Sequence, residues 1–229
     1  MTVEFALMAI SNKSLFDWSD AVATPIVVVV IAGIFGLIAL RTGQRAQAER
    51  ELQIERAREE TLRSYLDRIA ELVLEKDLVD SDTDSPQRAI ALARTHNALT
   101  TLDGPRKGLL VGFLHDSQLI RNGRTVVSLS LADLTNSNLG SIDLRACNFS
   151  GANLLDAYLY NSDLRESNFE NCVLTDADLS GCNLENCVLT NRQLAQCARL
   201  ARAILPNGDL AREETLQQLQ DEVDSELES

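Results

Sequence analysis

Three groups of side chains in this 229-residue chain are of types that do chemistry. The first is the five cysteines, Cys147, Cys172, Cys182, Cys187 and Cys197. Thiolates bind metals, attack electrophiles and pair as disulfides. Here the separations are all multiples of five, unlike the C-x₂-C pairs of zinc sites. An odd count locked to one phase also argues against a disulfide framework and fits a reducing compartment. Small apolar fillers of a narrow interior are the better reading. The second group is His96 and His115, around which no motif places a cysteine or carboxylate; packing or surface roles are expected. The third is a ladder of Asp133, Asn138, Asp143, Asn148, Asn153, Asp163, Asn168, Asp178 and Asn183. Paired carboxylates do acid–base work, but a regular ladder has a structural cause, since Asp and Asn at recurring turns bond nearby backbone. With no G-x-x-x-x-G-K-[ST], nucleophile elbow or HExxH, the expectation is a non-enzyme without catalytic residues, cofactor or metal.

The ladder sits inside a strict repeat. Read in fives, the centres are Leu129, Leu134, Leu139, Leu144, Phe149, Leu154, Leu159, Leu164, Phe169, Leu174, Leu179, Leu184 and Leu189. Two before each centre is mostly a small residue, such as Ala132, Cys147 or Ser162; Val127 and Ile142 are the exceptions. On an α-helix five residues turn about 140°, which would smear the leucines around the cylinder. On a straight strand an odd period sends them to alternate faces. Only a path that turns a corner at every repeat keeps all of them inside. The centre and the small residue before it then point inward, the Asp or Asn between them points outward, and coils stack about 4.8 Å apart. This is a solenoid.

Runs such as Ala132-Asp133-Leu134, Ala152-Asn153-Leu154 and Ala177-Asp178-Leu179 resemble the A(D/N)LXX motif of the pentapeptide-repeat family. That resemblance implies a right-handed quadrilateral β-helix, with about four pentads per coil and here about three coils. The string Asp103-Gly104-Pro105-Arg106-Lys107-Gly108, with Phe113-Leu114 and Leu119-Ile120, resembles a region of membrane-anchored bacterial, and cyanobacterial, members.

Ala21 to Leu40 contains no charged residue. Such a run, as a helix of about 30 Å, matches the hydrocarbon core of a bilayer. A cleaved signal peptide needs a basic start and a small-residue cleavage site; the chain instead has Glu4, Lys13, Asp17 and Asp20 before the run and Ile38-Ala39-Leu40-Arg41 at its exit. The expectation is a single-pass transmembrane helix over 21–40, with the lipid bilayer as a partner. Trp18 is its headgroup anchor, and Pro25, Ile26, Ile31, Phe35 and Leu40 lie along it. Lys13 precedes it, whereas Arg41, Arg45, Arg50, Arg56 and Arg58 follow. That bias puts residues 1–20 outside and the rest in the cytoplasm of a bacterial inner membrane, or of a thylakoid. Ala32 and Gly36 form a small-xxx-small pair through which two such helices, with their stalks, would make a homo-oligomer.

Residues 41–78 read as a long stalk helix, first polar and then apolar on one face through Leu62, Leu66, Ile69, Leu72 and Val73. The apolar run is too short for a coiled-coil seam and fits packing on the next two helices, over 87–102 and 106–116, within a helical linker region 79–125. Ser85-Pro86 and Asp103-Gly104-Pro105 punctuate it. The repeats occupy 126–190. At 191–208 Arg192 takes an inward slot and Arg199 a centre, so the solenoid is expected to end, with Thr190-Asn191-Arg192-Gln193 as a capping box opening a covering helix. Residues 209–229 are an acidic tail.

A net charge of −13 disfavours nucleic acid, and the basic residues Arg106, Lys107, Arg121 and Arg124 are too few amid acid to make a DNA-binding winged helix. The fold class expected is therefore mainly β solenoid, preceded by a transmembrane helix and a small helical region, with a C-terminal capping helix. The function expected is a membrane-tethered scaffold that presents its β-helix to a cytoplasmic protein partner, a basic one by charge. Leu155, Tyr158 and Tyr160 break the polar rule of the outward positions and mark the expected docking patch. The alternative is an acidic DNA mimic that inhibits a type II topoisomerase, as the family resemblance implies. Nine acids against two bases over Ser128–Thr190 leave −7 for such mimicry, but about 15 Å of solenoid is short for it.

Overall fold

The computed structural model describes residues 15–120, 125–212, 214–215, 217–219 and 221, with backbone alone over 15–43. The chain forms two compact units, Met1–Arg56 and Ala57–Ser229. Helix α1 spans Leu15–Glu75. Its described residues in the first unit, from Gln44 to Arg56, are all exposed, as their Ala, Glu, Gln and Arg content requires.

Two expectations are corrected here. Among the described residues no helix is long and apolar enough to cross a membrane, which overturns the single-pass anchor over 21–40 and the topology built on it. The apolar run is one part of a 61-residue helix. The described part of that helix carries Arg45, Glu49, Arg50, Glu51, Glu55 and Arg56, so it has no apolar stretch of bilayer length. The side chains of Trp18, Pro25, Ile26, Ile31, Phe35 and Leu40, like the Ala32/Gly36 pair, lie outside the described residues. The fold is also not mainly β. The repeats make isolated bridges and no extended strand or sheet among the described residues. The reason is local: each pentad gives one residue to a bridge and the others to a turn.

In the second unit the apolar face of α1 is turned inward. Tyr65, Ile69 and Leu72 are buried, in one core with residues of α2 (Pro86–Thr101) and α3 (Gly104–Asp116). Tyr65 donates to Thr95 Oγ1 at 2.8 Å, because the Thr95 hydroxyl proton is already given to Ala91 O. Ser85 caps α2 by accepting from Arg88 N, with Pro86 at the first helical position. Asp103 does the same for α3 through Arg106 N.

Helix α3 sits on the first coil of the solenoid. Gly104 O accepts from Asn138 N at 3.2 Å. A Cβ at Gly108 would stand 2.0 Å from Asn138 O, so glycine is what lets helix backbone meet solenoid backbone there. Lys107, between them, is 3% exposed and reaches Asp133 Oδ1 at 3.0 Å and Thr135 Oγ1 at 3.0 Å.

The coils stack in parallel register. Asp133 bridges Asn153, Asn138 bridges Tyr158, Asp143 bridges Asp163 and Asn148 bridges Asn168, each pair twenty residues apart. Four pentads therefore make one coil with four sides. Corners are turns with a hydrogen bond from the small residue's N–H to the preceding centre, as from Ala157 to Leu154 at 3.0 Å. The second residue after each centre from Leu129 to Leu184 has positive φ, the signature of a type II turn. Asn136, Asn161, Asn171, Asn186, Asp156, Asp176, Gly151 and Gly181 suit that place. The Asp or Asn before each centre accepts from the backbone two residues on, for example Asn168 Oδ1 from Glu170 N at 2.8 Å. Inside, Phe149 and Phe169 stack at 5.1 Å. Ser162, Ser167, Cys182 and Cys187 each donate to a centre carbonyl of the previous coil.

The solenoid does not stop at Thr190. Helix α4, Asn191–Ala195, opens on the expected capping box, with Gln193 Oε1 accepting from Thr190 N. It adds one residue to the path, after which bridging resumes twenty-one residues apart, Asp178 with Arg199 and Asn183 with Ile204. Leu200, Ala203 and Leu205 fill the inward places of this partial coil. The chain then doubles back so that Leu210 pairs with Ile204 in antiparallel fashion and covers that edge.

Candidate interaction surface

The interior of the solenoid offers no working groups. Every inward position from Leu129 to Leu184 is buried except Ile142, the one large branched residue in a small slot. Burial pushes the thiols of Cys147, Cys172, Cys182, Cys187 and Cys197 up to about 12, so they stay protonated and poorly nucleophilic at neutral pH. His115 Nδ1 is 3.1 Å from Asp116 Oδ1, while its Nε2, like that of His96, is buried without a hydrogen-bond partner. No thiol lies among these contacts.

The outer surface has two contrasting regions. On the side carrying Asp143 and Asp163 the charges neutralise one another. Arg145 Nε is 2.8 Å from Asp143 Oδ1, Arg165 Nε is 2.9 Å from Asp163 Oδ1, and Arg145 reaches down to Asp163 at 3.7 Å. The Arg145 hydrogen bond holds the Asp143 carboxyl down to about 2.

The second region is the corner between Leu155 and Tyr158. Tyr158 is 47% exposed and Tyr160 39%, while Leu155 is half-buried. Leu155 and Tyr158 flank the turn at Asp156-Ala157, and Tyr160 lies at the far end of the Tyr158 side. A Cβ at Gly140 would stand 2.5 Å from Tyr160 Cζ, so the Tyr160 ring lies over Gly140 of the coil before. Tyr160 is thus partly packing and partly surface. Val173, 42% exposed, bridges Asn153 and adds an exposed apolar residue on the side of the coil that leads into this corner. The sequence reading missed it. Its one signal was Val at a place where Asp or Asn is usual.

A family model for pentapeptide repeats matches residues 128–165 and 152–191, in eight copies. Residues 128–191 are pentapeptide repeats. Among solved structures, a pentapeptide repeat protein from Nostoc Pcc 7120 is similar, at 27% identity over 39% of this chain and 78% of that one, with a TM-score of 0.21. No curated protein matches the chain. The resemblance thus stands for the repeats. The membrane-anchored type is not supported, since no described helix is fit to span a bilayer.

The match leaves the helices before residue 128 outside it. What the pentapeptide repeats supply chemically is a stiff surface with one polar residue per side, on which departures stand out. Leu131, 76% exposed, and Val188, 56% exposed, are departures too, but neither belongs to the Leu155 corner.

Proposed function

We propose that this pentapeptide-repeat protein is a non-enzymatic scaffold that docks a protein partner on the outside of its solenoid. The observation that carries this reading is the contrast between an interior filled at nearly every slot and a corner that turns Leu155, Tyr158 and Tyr160 outward. Tyrosine with an aliphatic neighbour is the composition of an interface hot spot. The buried thiols and the self-bonded Asp/Asn ladder support this reading, since among the described residues of the solenoid neither is placed for catalysis. DNA mimicry is not favoured, because Asp133, Asp143, Asp163 and Asp178 spend their charge on Lys107, Arg145, Arg165 and Arg199 of the same chain.

The test uses the full chain as bait, with Leu155, Tyr158 and Tyr160 all changed to Ser in a variant. The variant is expected to melt close to wild type and to lose the main captured protein. A variant that melts normally and keeps every partner overturns the reading.

A further inference from the structure

Asp156 and Asp176 stand at the same corner in successive coils. Asp156 N donates to Thr175 O at 3.1 Å, which sets the two turns one above the other, about 4.8 Å apart. Both aspartates are exposed. Of the six aspartates between Val126 and Thr190, the other four each have an ion pair; Asp156 and Asp176 have none among the described residues. Two like charges stacked without a counter-ion repel. The turn does not need the charge: Asn136 takes the same place in the coil above with the same positive φ.

Apolar side chains lie on both flanks of this acidic corner. Leu155 and Val173 are on one side, and Tyr158 and Tyr160 on the other. We propose that the corner is a docking site for an extended basic segment of a partner protein, which rests on the scaffold reading above. An Arg or Lys head would lie between Asp156 and Asp176, where a planar guanidinium can reach both carboxylates. Its stem would cover Leu155 and Val173, and a neighbouring cation would stack on Tyr158. The Asp143–Arg145–Asp163–Arg165 side cannot do this, because its acids already hold cations.

The experiment titrates the full chain into a fluorescently labelled peptide of alternating Arg and Ser, with a Glu-Ser peptide as control, and follows anisotropy. The Arg peptide is expected to bind, the Glu peptide not, and added salt to weaken the complex. Asp156→Asn with Asp176→Asn, which keeps residues suited to the turn, should weaken it about tenfold. Glu170→Gln with Glu185→Gln removes the same charge from other sides and should leave it unchanged. Absent binding of the Arg peptide, or equal losses in the two double variants, overturns the proposal. If the Leu155/Tyr158/Tyr160 variant loses its partner in the capture assay while the Asp156/Asp176 variant binds the peptide as wild type does, the scaffold reading stands and the basic-segment inference falls. If peptide binding depends on the two aspartates but capture does not change in the triple variant, the docking site stands and the scaffold reading falls.

Discussion

Lys107 Nζ lies 3.0 Å from Asp133 Oδ1, with the lysine side chain 4% exposed and the aspartate side chain 36%. The pair joins a helix that lies outside the repeats to their first coil, and its two halves are unequal. Without the Asp133 charge, a buried ammonium keeps only neutral acceptors, the two oxygens of Thr135 at 3.0 and 3.3 Å among them. Without Lys107, a partly solvated carboxylate still accepts from Thr135. Asp133→Asn is therefore expected to cost about 2–3 kcal/mol and Lys107→Met about 1 kcal/mol or less. Urea melts of the two variants check this, and a larger loss for Lys107→Met would refute the account.

Two glycines on α3 should respond in opposite senses. Gly108→Ala drives a methyl to 2.0 Å from Asn138 O, so helix and coil must part, at about 1–3 kcal/mol. At Gly112 a Cβ would meet nothing within 4 Å, so Gly112→Ala gains helix propensity of about 0.5–1 kcal/mol. Thermal melts decide it. Matching signs for the two would show that α3 does not seat on Asn138.

These contacts mark where sequence reading reaches its limit. The centres from Leu134 to Leu184 and the cysteine slots were legible because a period of five admits one path that buries them all. Gly108 was legible as a helix residue and Gly104 only as punctuation before that helix, and neither was legible as a contact, since Asn136 and Asn138 are distant in sequence. Arg192 in an inward slot was read as the end of the solenoid, whereas α4 only interrupts it. The resumption at Leu200 and Leu205 was hidden because α4 adds one residue and shifts the phase. The span over 21–40 was read from an uncharged apolar run and its flanking charges, properties of one segment that the rest of α1 does not share. At the proposed docking corner Leu155, Tyr158 and Tyr160 stood out by type. The pairing of Asp156 with Asp176 follows from a coil of four pentads, which the resemblance implies and the bridges twenty residues apart bear out.

Acid should loosen the solenoid in a defined window. Hydrogen bonds from Arg145 and Arg165 hold Asp143 and Asp163 below the ordinary value of 3.8, Asp143 down to about 2. A carboxyl depressed on folding stabilises the fold above its unfolded value, and that contribution is lost as pH falls through the folded one. The melting midpoint should therefore be insensitive to these groups above about pH 4 and fall between there and about 2. Both carboxylates are partly exposed, so added salt should shrink the effect. Arg145→Gln removes the main cause at Asp143 and should flatten the acid limb. A variant profile that superimposes on wild type over this window would rule out the ladder as its origin.

Leu131 occupies a turn position where most repeats have Asn, Asp or Gly. Its φ is +58° and it is 76% exposed. A leucine in the left-handed region costs about 1–2 kcal/mol, and Asn tolerates it better because its short amide bonds locally. The exposed side chain returns little; it lies over Gly151, whose absent Cβ would stand 2.6 Å from Leu131 Cδ2. Leu131→Asn is thus expected to stabilise by about 0.5–1 kcal/mol, a rise of about 1–4 °C in the melting midpoint. Leu134, three residues on, is fully buried at a centre. Leu134→Asn puts an amide among leucines and should cost several-fold more than the first change gains, about 3 kcal/mol or above. Calorimetry on the pair reads the register of the first coil directly: if Leu131→Asn destabilises as Leu134→Asn does, the outward and inward places there have been exchanged.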